Sequence, residues 1–294
     1  MKQKIIVGVD VGGTKIMTGL TTPEGEVVGQ PYKIATGGSD DKHAILDRIF
    51  CSIDSVITSN NIKKEDIKGI GIGCTGPLDS KNGIILECPQ LPALHFYPLG
   101  RAIEDKYGLP VVMNNDANCL ILGESIWGAG KGENIVLGFT LGTGLGCALV
   151  INGKLQMGST ETAGEIWTSP YKDGIIEDYI SGSGISNIYK KLTGINKSAV
   201  EISGLAKKGD INAAETWNIF GEALGFAISW CTNLIDPDII ILGGSISNSF
   251  ALYQKPMEDK FRKFICPVPA AKTTIIKAGL GDYAGFIGAA ALIV

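Results

Sequence analysis

Histidine is almost missing from this chain: of 294 residues only His43 and His95 are histidine, and they stand far apart. No pair of Cys and His residues has zinc-ligand spacing, which argues against a structural zinc. The cysteines Cys51, Cys74, Cys88, Cys119, Cys147, Cys231 and Cys266 are odd in number and isolated, so they do not form a disulfide framework. They are expected as small buried residues in a reducing cytoplasm. Basic excess is lacking too, since the formal net charge is −4, and a nucleic-acid-binding face would need clustered Lys and Arg. No uninterrupted apolar run is long enough to span a bilayer. The run after Lys4 ends at Asp10, too early for a signal peptide. Residues 135–151 are interrupted by Gly138, Gly142, Gly144 and Gly146, so a β-hairpin is expected there, and the run 284–294 is too short. Neither a GxSxG signature nor a Walker GxxxxGK[ST] loop occurs. No low-complexity linker divides the chain.

Glycine is what the chain has in excess, 40 residues without a collagen-like period. Two of the glycine clusters carry most of the information. Val9-Asp10-Val11-Gly12-Gly13-Thr14-Lys15 follows the apolar run at 5–7, and Leu141-Gly142-Thr143-Gly144-Leu145-Gly146 lies between the β-rich segments 134–140 and 147–151. A residue without Cβ tolerates positive φ and lets backbone N–H groups point at an anion. Two such turns suggest a cleft gripping a polyphosphate from both sides.

The remaining pattern reads as α/β. Strands are expected at 5–9, 15–21, 26–34, 67–73, 109–113, 239–242 and 273–277. Helices are expected at about 42–59, behind an N-cap in Ser39-Asp40-Asp41, and at 100–107, 116–127, 175–193, 197–208, 213–235, 250–264 and from 282. Strand-then-glycine arrangements recur in both halves, including Ile241-Leu242-Gly243-Gly244. The expected organisation is two α/β lobes: residues 1–113, rejoined by the closing helix 282–294, and residues 114–281.

Asp116 is the sharpest chemical candidate, because it sits where a strand ends and a helix begins, the sheet edge at which α/β proteins place ligands. A carboxylate there suits proton abstraction from a sugar hydroxyl, with Asn115 fixing the substrate; the competing reading is a simple N-cap. Asp10 reads either as a carboxylate near Mg²⁺, directly or through water, or as a turn-forming residue before two glycines. Thr14 and Thr143 read as hydroxyl donors to phosphate or as surface residues, and Lys15 as a phosphate contact or a solvated side chain. Glu165 and Glu177 carry little signal by themselves. His43 is expected on a helix surface and His95 in a loop.

Taken in order, these segments resemble the ROK family of sugar kinases, within the actin-like ATPase and sugar-kinase (ribonuclease H-like) superfamily. The resemblance rests on Asp10 to Lys15, Gly73-Cys74-Thr75-Gly76-Pro77-Leu78, Asn115-Asp116-Ala117-Asn118, Thr140 to Gly146, Ala163-Gly164-Glu165-Ile166, and Asp236 to Gly244. It implies a two-lobed fold with an interlobe cleft, and Mg·ATP-dependent phosphorylation of a hexose at the 6-hydroxyl. It also implies specific roles. Asp116 becomes the base, and Gly76, Asn115, Glu165 and Glu177 hold sugar hydroxyls. Asp10, Gly12, Gly13, Thr14, Lys15, Gly142, Thr143, Gly144 and Gly146 surround the phosphates, and Gly243 and Gly244 approach the adenosine. A cytoplasmic homodimer is implied, with no nucleic-acid or membrane partner. Where relatives continue Gly-Glu-Ile into Gly-His and a cysteine cluster for zinc, this chain has Trp167 and Thr168 and no following cysteine until Cys231. The loop is therefore expected to be held by packing of Trp167 and Tyr171. The same departure leaves glucokinase and N-acylmannosamine kinase as alternatives. The family's DNA-binding repressors carry a helix-turn-helix ahead of the Asp-x-Gly-Gly-Thr motif, for which the nine residues before Asp10 leave no room.

Overall fold

A computed structural model describes residues 4–294, which form two compact units. The first comprises residues 4–132, 153–161 and 279–294, and the second 133–152 and 162–278.

The first unit is built on a sheet whose strands lie in the order Val27–Ala35, Lys15–Thr21, Ile5–Val11, Ile67–Cys74, Val111–Asn115. Antiparallel pairing links the first three, and parallel pairing joins Ile5–Val11 to Ile67–Cys74 and that strand to Val111–Asn115. Ile5–Val11 is buried along nearly its whole length, which explains a continuous apolar run instead of an alternating one. One sheet face takes the helix Lys42–Ser59, which buries Ile45, Ile49, Ile53 and Val56 on a single stripe. Asp41 caps that helix, accepting from the amides of His43 at 2.8 Å and Ala44 at 3.2 Å. The other face takes the C-terminal helix Ala284–Ala291 at unusually short range. A Cβ on Gly8 would lie 1.9 Å from the Phe286 carbonyl oxygen, and one on Gly71 would lie 1.8 Å from that of Ala289. These two glycines are there because helix backbone, not side chain, touches the sheet.

In the second unit four strands lie in the order Leu145–Ile151, Ile135–Leu141, Ile239–Gly243, Thr274–Lys277. The first pair is antiparallel and the other two pairs are parallel. The plan therefore repeats that of the first unit: a hairpin whose leading strand also pairs with a parallel strand, and a further parallel strand beyond. The 25-residue helix Ile211–Ile235, N-capped by Asp210, packs with Phe250–Phe264 around Trp217, Phe220, Tyr253 and Phe261. Tyr253 stacks on Trp217 at 5.9 Å between ring centroids and meets Phe220 edge-on at 5.0 Å.

The division into units falls after Gly132, whereas residues 113/114 were expected. The helix Asp116–Trp127 belongs to the first unit because it packs on Ala284–Ala291, where a Cβ on Gly123 would meet Gly288 Cα at 2.8 Å. Glu124, fully buried, adds a polar tie by accepting from the amides of Ala129 at 2.8 Å, Gly279 at 2.9 Å and Leu280 at 2.8 Å. Other differences are local. The strand expected at 109–113 runs Val111–Asn115, after Pro110, which has no amide to donate. The helix expected at 175–193 is broken at Ser181, whose extended backbone and side chain cap the second piece, Gly182–Thr193. The closing helix starts at Ala284, after a 3₁₀ turn Gly281–Tyr283. Small hairpins at Leu78–Asp79 with Ile84–Ile85 and at Pro170–Tyr171 with Gly174–Ile175 were not foreseen. Residues 135–151 form the expected β-hairpin, and among the described residues no helix is long and apolar enough to cross a membrane. All seven cysteines are free; five are buried, but Cys51 and Cys266 are exposed, against the expectation for the whole set.

Candidate functional site

In the first unit the strand pair Ile5–Val11 and Lys15–Thr21 turns through Gly12, Gly13 and Thr14. The Gly12 amide donates to the Lys15 carbonyl at 3.0 Å, closing the turn. Thr36 holds it from outside, its hydroxyl donating to the Gly12 carbonyl at 2.6 Å and its amide to the Thr14 carbonyl at 3.0 Å. A Cβ on Gly13 would come 2.7 Å from Gln90 Cβ, so a side chain there has no room. Thr14 and Lys15 are exposed. Asp10, one strand residue before the turn, lies between Gly73 and Met17 in register, with Gly285 of the C-terminal helix against its carboxylate. Burial raises the Asp10 carboxyl above the usual carboxylate value, with the Lys15 charge opposing. A desolvated carboxylate of this kind gains from a neighbouring cation.

The same unit places Asn115 and Asp116 at the carboxyl end of Val111–Asn115, where the strand becomes a helix. Asn115 is the N-cap and Asp116 the first helical residue, so the capping role weighed for Asp116 belongs to its neighbour. Both side chains take the Ala117 amide, Asn115 Oδ1 at 2.9 Å and Asp116 Oδ1 at 2.8 Å. Both are half-buried. Gly76 lies beside them: a Cβ there would sit 3.0 Å from Asn115 Nδ2. Cys119, one turn on, is fully buried; burial pushes its thiol up, and the Asp116 and Asp10 charges push the same way.

In the second unit Ile135–Leu141 and Leu145–Ile151 turn through Gly142, Thr143 and Gly144. The Gly142 amide donates to the Gly144 carbonyl at 3.1 Å, and the Gly182 amide donates to the Gly142 carbonyl at 2.8 Å. Glu177 Oε2 accepts from the Leu145 amide at 2.7 Å. The carboxylate expected on a sugar hydroxyl thus anchors the glycine turn. Thr143 is exposed, and nothing crowds Gly142. Gly243 pairs with Thr140, and Gly244 has φ +80°, where a Cβ would strike the Leu141 carbonyl at 2.3 Å. Gly146 lies in the strand leaving the turn, opposite Thr140.

Glu165 also has a protein partner: its Oε2 accepts from the Trp167 indole N–H at 2.5 Å. Tyr171 behaves as expected of a packing residue, meeting Tyr179 edge-on at 4.9 Å and Phe226 at 5.3 Å between centroids. Trp167 differs, being 38% exposed and engaged with Glu165. Tyr179 donates to Asp173, which raises the phenol to about 12 and lowers the carboxyl below its usual value. Among the described residues no group of three or more His, Cys, Asp and Glu side chains could hold a metal ion. His95 lies in a loop with Nε2 2.8 Å from the Cys88 carbonyl oxygen, and His43 lies on the exposed side of its helix.

Sequence reasoning passed over Thr36, Asn114 and Glu124. The run Asn114-Asn115-Asp116-Ala117-Asn118 was a usable signal for the second, and an acid inside the apolar stretch of 116–127 for the third. Nothing local marks Thr36, which reaches its turn only through the sheet.

A profile described as the ROK family matches residues 6–294. The chain is 31% identical to a glucokinase of Halalkalibacterium halodurans, over 100% of this chain and 96% of that protein. It is 33% identical to an N-acetyl-D-glucosamine kinase of Photobacterium profundum, over 97% and 98% respectively. Among solved structures, a ROK family glucokinase from Streptomyces griseus in complex with glucose and AMPPNP superimposes with a TM-score of 0.82 at 29% identity, covering 98% of each chain. A ROK hexokinase from Thermus thermophilus superimposes with a TM-score of 0.86 at 24% identity, covering 98% of this chain and 97% of that one, and supports the fold alone.

Proposed function

The chain belongs to the ROK family and has its actin-like ATPase fold, and from that membership we propose that it phosphorylates a hexose with ATP, at the 6-hydroxyl in a glucokinase-like reaction. The observation that carries this reading is the Asn115–Asp116 pair at the strand-to-helix junction, a carboxylate oriented by the Ala117 amide at a sheet edge. Asp116 takes the proton of the attacking hydroxyl as that oxygen bonds to the γ-phosphorus. The bond from phosphorus to the β,γ-bridging oxygen breaks, and ADP leaves with the electron pair. Such a step asks the protein mainly for position and charge stabilisation.

Gly76 and Asn115, together with Glu165 and Glu177, hold the sugar. Gly12, Gly13, Thr14 and Lys15, with Gly142, Thr143, Gly144 and Gly146, hold the phosphates, and Gly243 and Gly244 approach the adenosine. Mg²⁺ would be held by Asp10, directly or through water, and by the nucleotide's own phosphates, supplying positive charge where negative charge develops. The desolvated Asp10 carboxylate suits that place. Glu177 carries a double duty here, since its other carboxylate oxygen serves the sugar while Oε2 keeps the Leu145 amide.

A second reading, an N-acylhexosamine as substrate, is favoured by Thr168, which is short, uncharged and exposed at the position for which the family resemblance implies histidine. The 33% identity to an N-acetyl-D-glucosamine kinase supports it too. We further propose a cytoplasmic homodimer, checked by sedimentation. A coupled ADP-release assay across glucose, mannose, N-acetylglucosamine and N-acetylmannosamine tests the main reading. Turnover on glucose selects the first, turnover on N-acyl sugars alone selects the second, and no turnover on any sugar sinks both.

A further inference from the structure

Beside Asp116 lies a side-chain network that the proposed chemistry does not use. Asn114 is the last fully inward residue of its strand, only 7% exposed, yet it is a primary amide. A buried amide must find partners or weaken the fold. Asn114 Oδ1 accepts two donors, the Asn115 backbone amide at 2.8 Å and Asn118 Nδ2 at 2.9 Å. The Nδ2 groups of Asn114 and Asn118 both point at one atom, the thioether sulfur of Met157, at 3.6 Å and 3.4 Å. The three side chains thus close a ring of polar contacts. Two of its members flank the Asn115–Asp116 pair in sequence, and Met157 arrives from the segment 153–161 of the same unit.

We infer that Asn114, Asn118 and Met157 are positioning residues for Asp116: they fix the backbone at Asn115 and the first helical turn, and with them the direction of the carboxylate. This rests on the reading of Asp116 as the base. The physical route is short. Asn114 Oδ1 holds the Asn115 N–H at the strand end and the Asn118 side chain in the first helical turn, so it ties strand and helix together across Asp116 and Ala117. Asn114 is a strand residue and Asn118 stands in the first helical turn, so the hydrogen bond between their side chains spans the junction. Without an acceptor for its remaining amide protons, the Asn114 amide would turn away to seek water and release Oδ1 from the Asn115 amide, and the Asn118 amide would leave that Oδ1. The thioether is a weak acceptor, but it sits where these protons point and costs little to desolvate. None of the three side chains needs to touch substrate.

Misplacement of a reacting group by a fraction of an ångström lowers turnover strongly while leaving binding nearly intact. Met157→Leu keeps volume and removes the acceptor. The expected result is a fall in kcat of about tenfold, with the sugar KM within about twofold of wild type and the melting temperature nearly unchanged. Met157→Gln returns an oxygen acceptor at similar reach and should recover most of the lost kcat. Asn114→Ala, which removes the central acceptor, should cost more than Met157→Leu in kcat. Asp116→Asn is measured beside them. Unchanged kcat in Met157→Leu, or an equal loss in Met157→Leu and Met157→Gln, overturns the positioning role while a dead Asp116→Asn keeps the base. Turnover retained in Asp116→Asn overturns both.

Discussion

The two glycine turns share a plan and differ in what holds them. Each joins an antiparallel pair whose leading strand also pairs with a parallel strand, and each is closed by a single backbone hydrogen bond, Gly12 to Lys15 in one and Gly142 to Gly144 in the other. The first is steadied by neutral groups, the Thr36 hydroxyl and amide. The second is steadied by the Glu177 carboxylate on the Leu145 amide and by the Gly182 amide at the start of a helix. A hydrogen bond to a charged group is roughly twice as strong as a neutral one, and leaving its partner buried and unpaired costs more. The units also part company after their last strand. In the first, Asn115 and Asp116 open a helix at once; in the second, Lys277 is followed by Ala278, Gly279 and Leu280 before a 3₁₀ turn. A repeated scaffold therefore carries the candidate base on one side only.

The harshest test of that asymmetry is Asp116→Asn, which should lower kcat by about 10²–10⁴ in the ADP-release assay with the fold intact by circular dichroism. An active variant would remove the chemical distinction between the units. Next in size is Gly71→Ala, whose Cβ would press on the Ala289 carbonyl. Since the obstacle is backbone, the C-terminal helix must shift, and urea titration should show a loss of about 3 kcal/mol. Glu177→Ala leaves the buried Leu145 amide without its acceptor and should cost about 1–3 kcal/mol and raise the KM for ATP. Thr36→Val, its neutral counterpart, should cost about 1 kcal/mol or less. Equal losses in this pair would erase the difference drawn between the turns.

The smallest effect is one of acidity. The Asp173 carboxyl is held below its usual 3.8, chiefly by the Tyr179 hydroxyl. A depressed folded value means stability present above pH 3.8 and lost as pH falls through the lower, folded value. Tyr179→Phe should therefore lower the stability of the second unit slightly at neutral pH and flatten its fall below about pH 4, so that variant and wild type converge in acid, measured by its tryptophan fluorescence.

Much of this was legible in the chain. Period and punctuation located nearly all the main strands and helices, because buried parallel strands read as short apolar runs and a cap such as Asp41 announces itself. The glycine turns and the Asn-Asp junction were equally plain, since local backbone geometry demands those residue types. The break at Ser181 was hidden, because a serine cap inside a helical pattern looks like one more small residue. The partners of Glu165 and Glu177 were hidden too. A carboxylate advertises its charge in the sequence but not the amide or indole it meets.

What the sequence determined by itself is the inventory: two glycine turns between strands, one carboxylate at a sheet edge, and an α/β chain of the ROK family. The tertiary structure alone decided which helix completes which unit and which atoms hold each turn. The helix Asp116–Trp127 lies with the first unit because Gly123 meets Gly288 and Glu124 gathers the amides of Gly279 and Leu280, contacts more than 150 residues apart in the chain. Periodicity records which face of a helix is apolar, whereas only packing selects the surface against which that face comes to rest.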